Sequence, residues 1–372
     1  MKHKLFLFVL LLLSFASYSQ HTSFRPGEVW TDTDGTHINA HGGGVLHLNG
    51  VYYWFGEYKN ERNNSAEHGV TCYSSTDLYN WKNEGIALSV FPEGSGSDIE
   101  TGSIIERPKV IYNKKTGKFV MYFHLELKGK GYSAARVGVA VSDNPEGPYQ
   151  FLKSGRVNAG KWVLNLSEEQ RNLKEIPSDF EKSWTPEWIK AVNNGLLFRR
   201  DFEGGQMSRD MTLFVDDDDK AYHIYSSEEN MTLHIAELTD DYLDYTGNYI
   251  RVDPSGQNEA PAIFKKDGKY YMITSGCTGW NPNEARLLTT DNIMGAWTRH
   301  SNPCVGENAE KTFFSQSTYI IPVTGKKDAY IFMADRWTPK NPIDGRYVWL
   351  PIQFENNLPV LKMMNEWTLD YF

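Results

Sequence analysis

Three carboxylates occupy equivalent positions in three separate segments of this 372-residue chain. Glu106, Asp210 and Glu259 each precede an alternating apolar stretch that runs into a hairpin-like turn. An unpaired carboxylate beside an apolar strand raises the free energy of the folded state. Three such carboxylates in equivalent places therefore indicate a common functional role. Carboxyl groups serve as general acids and bases in catalysis. The alternative is that an adjacent arginine neutralises each one, Arg107 for Glu106 and Arg209 for Asp210.

The elements that would position these acids are aromatic-rich hairpins. A turn carrying Gly or Asp, followed by a short aromatic strand and then a second strand, occurs five times. The copies are centred near Tyr53, Val120, Tyr222, Tyr271 and Tyr330. With one strand before and one after, each copy predicts a four-stranded antiparallel sheet. Five such sheets in a ring predict an all-β, five-bladed β-propeller. A β-sandwich is the competing architecture, but fivefold repetition is not its signature.

Two further segments complete this prediction. Closure of the ring needs strands from both ends of the chain, and residues 24–30 and 367–372 are the candidates. The gap between the second and third copies is too long for the sheets alone. We therefore predict an inserted, partly helical excursion at about residues 150–205, with helix-start chemistry at Ser167 and Thr185. Such an insertion is either a lid or specificity loop, or a plain surface elaboration.

Charge and the N-terminal segment limit the partners and the location. The chain has 38 Lys+Arg against 47 Asp+Glu, a net charge of −9, so it lacks the basic excess that a nucleic-acid partner favours. Residues 1–19 resemble a secretory signal, because Lys2 and Lys4 precede an apolar run that ends in small residues. That run is too short to span a bilayer. We predict a secreted or periplasmic catalytic domain over residues 20–372, without a membrane span, and expect a monomer.

The cysteines and histidines do not predict a metal centre. The three cysteines are widely spaced and form no CxxC pair, which disfavours a disulfide framework and a zinc site. One Cys277–Cys304 bridge and buried free thiols both remain open. Three histidines cluster at residues 37–47 on a predicted strand and loop, where metal ligation is disfavoured. No cofactor or metal is expected.

Several phrases resemble glycoside hydrolase family 43, whose members are inverting, exo-acting enzymes with five-bladed propellers. The segments on which this resemblance rests are RDMTLFVDDDDK at 209–220 and EAPAIFKKDGKYYMITSG at 259–276. The resemblance covers nearly the whole chain outside the excursion. It implies that Asp210 modulates a pKa and that Glu259 is the general acid. Phrases at 32–44, 106–110, 278–283 and 314–318 are similar to the exo-β-1,3-galactanase branch.

The general base departs from the pattern of most of the family. An Asp on the first inner strand usually serves as base, whereas the equivalent stretch here is Ile38-Asn39-Ala40-His41. The galactanase branch has a Glu and a Gln around the attacking water, which match Glu106 and Gln316. Because an amide has no spare basicity, we take Glu106 as the base and Gln316 as the residue that orients water. An inverting enzyme needs roughly 6.5–9.5 Å between acid and base.

The resemblance also predicts a polysaccharide or oligosaccharide substrate. Trp280 and Trp337 lie at the ends of inner-strand phrases, where sugar stacking and packing are both open. His41 and Asn39 complete the predicted substrate contacts. The predicted activity is release of galactose from the non-reducing end of β-1,3-galactan. An α-L-arabinofuranosidase or related family activity, and a non-catalytic glycan-binding propeller, remain as alternatives.

Overall fold

The fold is a β-propeller of four-stranded and three-stranded sheets. The computed structural model describes residues 20–372, so the predicted signal segment lies outside the described residues. Four sheets have four antiparallel strands each, in sequence order. The first two are β1 (His41–Leu48), β2 (Val51–Glu57), β3 (Gly69–Ser75) and β4 (Lys82–Ser89), then β5 (Ile104–Asn113), β6 (Lys118–Glu126), β7 (Arg136–Ser142) and β8 (Gln150–Gly155). The next two are β9 (Met211–Val215), β10 (Ala221–Ser227), β11 (Thr232–Leu238) and β12 (Tyr245–Val252), then β13 (Glu259–Lys266), β14 (Lys269–Ser275), β15 (Arg286–Thr290) and β16 (Thr298–His300).

Two sheets are three-stranded. A small sheet contains β17 (Cys304–Val305), β21 (Gln353–Glu355) and β22 (Leu358–Lys362), and its β17 pairs in parallel with β22. The other contains β18 (Gln316–Pro322), β19 (Tyr330–Arg336) and β20 (Arg346–Pro351). The described residues thus form six sheets, whereas the sequence predicted five.

The physical reason for the miscount is that the small sheet has no aromatic hairpin of the repeating kind. Its strands are short, and one of its pairings joins distant segments in parallel. The first strands of the other sheets pack against one another around the central axis. They are β1, β5, β9, β13 and β18, and β18 closes the ring against β1. The propeller prediction is therefore confirmed, with a sixth sheet outside this ring.

The two ends of the described chain meet at a single bridge and do not form the strands that the sequence predicts there. Phe24 and Trp367 exchange two backbone hydrogen bonds, at 2.8 and 3.1 Å, and their rings stack with centroids 4.3 Å apart. Nearby, the amide of Gly27 donates to the carbonyl of Tyr347 on β20 at 2.7 Å. The core around this junction contains the buried rings of Trp54 and Trp349. Aromatic side chains therefore stabilise the closure of the ring.

The excursion is partly confirmed. It starts later than predicted, because residues 150–155 form β8. Ser167 begins the first helix with a capping box, and the Thr185 hydroxyl accepts a hydrogen bond from the amide of Trp188 in the second. The helices are α1 (Glu168–Arg171), α2 (Pro186–Asn193) and α3 (Leu196–Arg200), and short 3₁₀ segments occur at Pro177–Asp179, Ala309–Phe314, Pro342–Asp344 and Leu369–Tyr371.

The described residues also settle two smaller points. Cys72, Cys277 and Cys304 are free thiols, so the Cys277–Cys304 bridge that the sequence left open is not formed. Over residues 20–372, no helix has the length and apolar character needed to cross a bilayer.

Candidate active site

A cavity of about 280 Å³ opens at the starts of the inner strands. It brings together all four predicted catalytic residues and the two predicted tryptophans. The excursion contributes no lining residue. The lining residues are Glu57, Lys59, Glu106, Arg107, His124, Tyr132, Arg209, Asp210, Asn230, Glu259, Gly279, Trp280, Gln316 and Trp337.

β-Bulges lie beside the key side chains. The pairing of β5 with β6 shifts after Glu106, and that of β13 with β14 shifts after Glu259. The following residues, Arg107 (φ 56°) and Ala260 (φ 52°), adopt the left-handed conformation. A bulge interrupts the alternation of a strand and re-aims its side chains. The register near the starts of β1 and β18 is irregular as well.

Glu106 lies in a dense network of hydrogen bonds. Its Oε2 is 3.0 Å from His124 Nδ1, and its Oε1 accepts the Tyr132 hydroxyl at 2.8 Å and the Asn64 amide. On its other side, His124 Nε2 is 3.0 Å from Glu126 Oε1. His124 and Glu126 are completely buried. The imidazole is thus held between two carboxylates.

This network sets the charge of both groups. Burial lowers the pKa of His124, but the hydrogen bonds and charges of Glu106 and Glu126 outweigh it and raise that pKa to about 9. At neutral pH the ring is therefore an imidazolium that donates from both nitrogens. Burial raises the pKa of Glu106, but His124, Lys59 and Tyr132 together hold it far below its usual range. Glu106 is therefore ionised at neutral pH.

Asp210 is paired with an arginine, but not with its neighbour. Its Oδ2 accepts Arg107 Nη2 at 2.8 Å and the backbone amide of Ala260 at 3.1 Å. Arg209 instead binds Glu229 at 3.1 Å. The alternative in which Arg107 neutralises Glu106 and Arg209 neutralises Asp210 is therefore wrong in both pairings. Arg107 reaches across the ring to the carboxylate of another sheet.

Gln316 has a fixed amide orientation. Its Oε1 accepts Arg107 Nη2 at 2.6 Å and Trp337 Nε1 at 2.9 Å, and its Nε2 donates to the Ser275 hydroxyl at 2.8 Å. Because both donors point at the oxygen, the amide nitrogen must be the atom beside Ser275. The second N–H of that nitrogen makes no hydrogen bond within the described residues. Gln316 thus offers a donor, and no base, to the cavity.

The pKa of Glu259 is shifted in the opposite direction from that of Glu106. Its Oε1 accepts Asn230 Nδ2 at 2.7 Å. Burial and the negative charge of Asp210 raise the pKa of Glu259 to about 7, against the opposing charge of Arg107. Glu259 therefore keeps its proton close to neutral pH while Glu106 is ionised. Carboxyl groups whose environments push their pKa values apart are suited to act as acid and base.

The two tryptophans form one wall of the cavity. The ring of Trp280 is half exposed, and it meets Trp337 edge-on at 5.8 Å. The guanidinium of Arg107 lies 5.2 Å from the centre of the Trp337 ring. Trp337 is thus held by Arg107 and Gln316, whereas Trp280 presents free aromatic surface. Exposed indole surface of this kind suits stacking on an apolar ligand face.

Two predicted substrate contacts lie elsewhere. The side-chain amide of Asn39 binds the backbone of Lys59 at 2.8 and 2.9 Å, which uses both of its polar atoms. His41 is completely buried and stacks on Tyr347 at 5.6 Å. Neither residue lines the cavity. The cavity therefore does not include these two predicted contacts, because the backbone of Lys59 holds Asn39 and Tyr347 stacks on His41.

Sequence reasoning missed several lining residues. Six of the eight lie near the end of the second strand of a hairpin or after it, and that end lies beside the start of the inner strand. Glu57 ends β2 and accepts the backbone amide of Arg107 at 2.9 Å, and His124 lies near the end of β6. Following each aromatic hairpin to its far end would have found these two. The missed residues are Glu57, Lys59, Arg107, His124, Tyr132, Arg209, Asn230 and Gly279.

One group of side chains has the composition of a metal site. Glu106, His124 and Asp210 each offer a ligand atom within 4.8 Å of the others. However, His124 uses both nitrogens to bind carboxylates, and Asp210 binds Arg107. These bonds occupy the atoms that a cation would take, so the donor set does not fit a metal ion in this arrangement.

Comparisons with known proteins agree with this geometry. A family model described as glycosyl hydrolases family 43 matches residues 182–351. The solved structure of a GH43 β-1,3-galactosidase with galactodeoxynojirimycin is 60% identical, with a TM-score of 0.91 over 93% of this chain and 100% of that chain. An exo-β-1,3-galactanase from Phanerochaete chrysosporium, solved with β-1,3-galactotriose, is 30% identical, with a TM-score of 0.74 over 94% of this chain and 68% of that chain.

A curated relative is more distant. A β-D-galactofuranosidase from Aspergillus niger is 24% identical over 154 residues, which are 41% of this chain. The match spans 44% of that protein, so the chain matches less than half the length of this curated relative.

Proposed function

Because the chain belongs to glycoside hydrolase family 43, we propose that it is an inverting exo-hydrolase that releases galactose from β-1,3-galactan. One observation carries this proposal. The cavity brings together Glu259, whose pKa is raised to about 7, and Glu106, whose pKa is held far below its usual range, and each has its own hydrogen-bond partners. The substrate class is supported by the names of the similar solved structures, a β-1,3-galactosidase and an exo-β-1,3-galactanase.

In the proposed mechanism, Glu259 donates its proton to the glycosidic oxygen that leaves. A water molecule attacks the opposite face of the sugar ring, and Glu106 accepts its proton. Asp210 acts on Glu259 through its negative charge, which favours the protonated acid. The free N–H of Gln316 orients the water, and Trp280 offers its ring to the sugar.

The proposal predicts a definite pH dependence. Glu259 must be protonated to act, and its pKa is raised to about 7. We therefore expect kcat/KM to fall as the pH rises through about 7. No matching loss is expected at mildly acidic pH, because the pKa of Glu106 is held far below its usual range. Initial rates between pH 4 and 9 test both limbs of the profile.

The first experiment compares substrates and variants side by side. The chain from Gln20 onward is given debranched β-1,3-galactan and, separately, an α-L-arabinofuranoside, with Glu259→Gln as the test variant. Glu307→Gln is the matched control, since it removes an exposed carboxylate outside the cavity. We expect galactose from galactan alone and a loss of at least about 10²-fold in kcat for Glu259→Gln.

Each other outcome changes a stated part of the proposal. Arabinose in place of galactose overturns the sugar but keeps the acid, whereas full activity in Glu259→Gln overturns the acid. The first anomer seen by NMR tests inversion, because an inverting enzyme releases α-galactose from a β-linkage. Release of β-galactose contradicts the roles given to Glu106 and to water.

The proposal includes the location and the assembly of the protein. Residues 1–19 retain the pattern of a secretory signal, and we propose a secreted or periplasmic monomer. Fractionation of cells that express the full chain, with N-terminal sequencing of the product, tests the signal. Light scattering tests the monomer. A cytoplasmic product that keeps Met1, or a stable dimer, contradicts this part.

A further inference from the structure

The turn between β10 and β11 has an unusual backbone. Glu228, Glu229 and Asn230 follow one another with φ values of 53°, 57° and 61°. The left-handed conformation is unfavourable for residues with a Cβ, and three in succession are rare. Such strain persists only where the surroundings hold it, and it is concentrated at functional sites.

The helical excursion holds the first residue of this turn. Glu228 is completely buried, and its carboxylate accepts hydrogen bonds from Arg251 at 2.6 and 2.8 Å and lies 2.9 Å from His234 Nε2. The same guanidinium donates to the carbonyls of Val192 and Asn193 at 2.8 and 2.9 Å, at the C-terminal end of α2. Arg251 thus joins the turn to the excursion.

The excursion also holds the second residue. The carboxylate of Glu229 binds Arg200 of α3 at 3.1 Å on one oxygen and Arg209 at 3.1 Å on the other. After the turn, Met231 packs in one buried apolar cluster with Val192 and other residues of α2 and α3. Contacts from both helices therefore surround the left-handed segment.

The third residue faces the catalytic cavity. Asn230 Nδ2 donates to Glu259 Oε1 at 2.7 Å, and the backbone carbonyl of Asn230 accepts the Cys277 thiol at 3.9 Å. A donor on Oε1 leaves Oε2 as the oxygen that carries a transferable proton. The other charged or titratable groups that act on Glu259 are Asp210, Arg107, Arg209 and Cys277.

We propose that the excursion, which does not line the cavity, positions the Glu259 carboxyl through the strained turn at 228–230, with Asn230 as the positioning residue. This inference rests on the proposed function for the role of Glu259. It assigns to α2 and α3 a task that neither a lid nor a surface elaboration would have. The excursion acts from behind the acid and does not cover the substrate.

The test measures the protonation of Glu259 without any substrate. Folded Glu259 keeps its proton up to about pH 7, whereas an unfolded glutamate ionises near pH 4.5. The folded state therefore binds more protons between these values, and its stability falls with rising pH relative to Glu259→Gln. The pH at which this stability difference stops falling reports the pKa of folded Glu259. Melting curves from pH 4 to 9 with and without Glu259→Gln locate it.

Three backgrounds are compared in this way: Asn230→Ala, Arg200→Gln and the control Arg171→Gln. Arg171 belongs to α1 and binds the Val163 carbonyl, so its change removes an excursion charge without touching the turn. A hydrogen bond donated to a carboxylate favours ionisation. Asn230→Ala should therefore raise the pKa of folded Glu259, and with it the pH at which the stability difference stops falling, by about one pH unit. Arg200→Gln should raise this pH by a smaller amount, and Arg171→Gln should leave it unchanged.

Activity supplies the second readout. On galactan, Asn230→Ala should lower kcat about tenfold with little change in KM, because substrate binding is retained while the acid is misplaced. If Asn230→Ala leaves the melting profile unchanged, or if Arg200→Gln matches Arg171→Gln, the positioning role is overturned. If Asn230→Ala does not fold, Arg200→Gln against Arg171→Gln decides alone. A wrong substrate, or an active Glu259→Gln, defeats the proposed function but leaves the melting result valid.

Discussion

Glu106 and Glu259 line the same cavity, yet their neighbours shift their pKa values in opposite directions. Glu106 is bound to an imidazolium and a phenol, whereas Glu259 lies beside the negative charge of Asp210. Burial acts on both in the same direction, so the difference comes from the partners and not from depth. His124 is the decisive partner for Glu106, and replacing it should separate the two effects.

We predict that His124→Asn loses stability in a pH-dependent way. Because the folded pKa of His124 is raised to about 9 from an ordinary value of 6.5, its contribution is complete below pH 6.5 and is lost as the pH rises through about 9. The variant should therefore be much less stable than the parent at pH 6, and the gap should shrink by pH 10. Urea unfolding at both pH values measures it.

The matched control is His68→Asn, a histidine outside the cavity. Its stability difference from the parent should be small at both pH values. A gap for His124→Asn that stays constant from pH 6 to pH 10 would show that His124 contributes packing and not charge.

Among the elements, the bulged start of β1 depends on a glycine. A Cβ on Gly43 would lie 1.7 Å from the carbonyl oxygen of Phe55 on β2. Gly43→Ala must therefore separate β1 from β2, which we expect to cost about 2–4 kcal/mol of unfolding free energy. Activity should also fall at temperatures where the protein is folded, because Glu57 at the end of β2 lines the cavity.

Gly155→Ala is the control for this substitution. Gly155 ends β8, and a Cβ there meets nothing within 4 Å. We expect a change within about 0.5 kcal/mol. Equal midpoints of chemical unfolding for the two alanine variants would contradict the proposed close approach of β1 and β2.

For the molecule as a whole, an aromatic contact joins the two ends of the described chain. Trp367 is buried, stacks on Phe24, and donates its indole N–H to the Trp349 carbonyl at 2.9 Å. Trp367→Ala should cost about 3–5 kcal/mol. Since Trp367 does not line the cavity, kcat measured well below the melting temperature should stay within about twofold.

Tyr371→Ala tests whether closure or mere proximity to the chain end matters, because the Tyr371 side chain is exposed. It should cost less than about 1 kcal/mol. If both variants unfold at the same urea concentration as the parent, the Phe24–Trp367 contact does not hold the ring together.

Local patterns in the sequence were enough for the repeating hairpins, the propeller and the acids at the inner strands. These features depend on residues close together in the chain, since alternation and turn chemistry act over a few positions. The same patterns could not reveal the small sheet, because β17 and β22 pair in parallel from distant segments. Nor could they show that Asn39 binds the backbone of Lys59 and that His41 stacks on Tyr347, which keeps both out of the cavity lining.

The charges of the site depend on contacts that no local pattern contains. Asp210 is paired with an arginine 103 positions away, and Gln316 is held by the same arginine across the ring. Residue types and spacing predicted the three carboxylates as a group, and the family resemblance added Gln316; the cavity contains all four. Which carboxyl keeps its proton was decided by folding, since burial and long-range partners set a pKa and both exist only once the sheets have closed around the cavity.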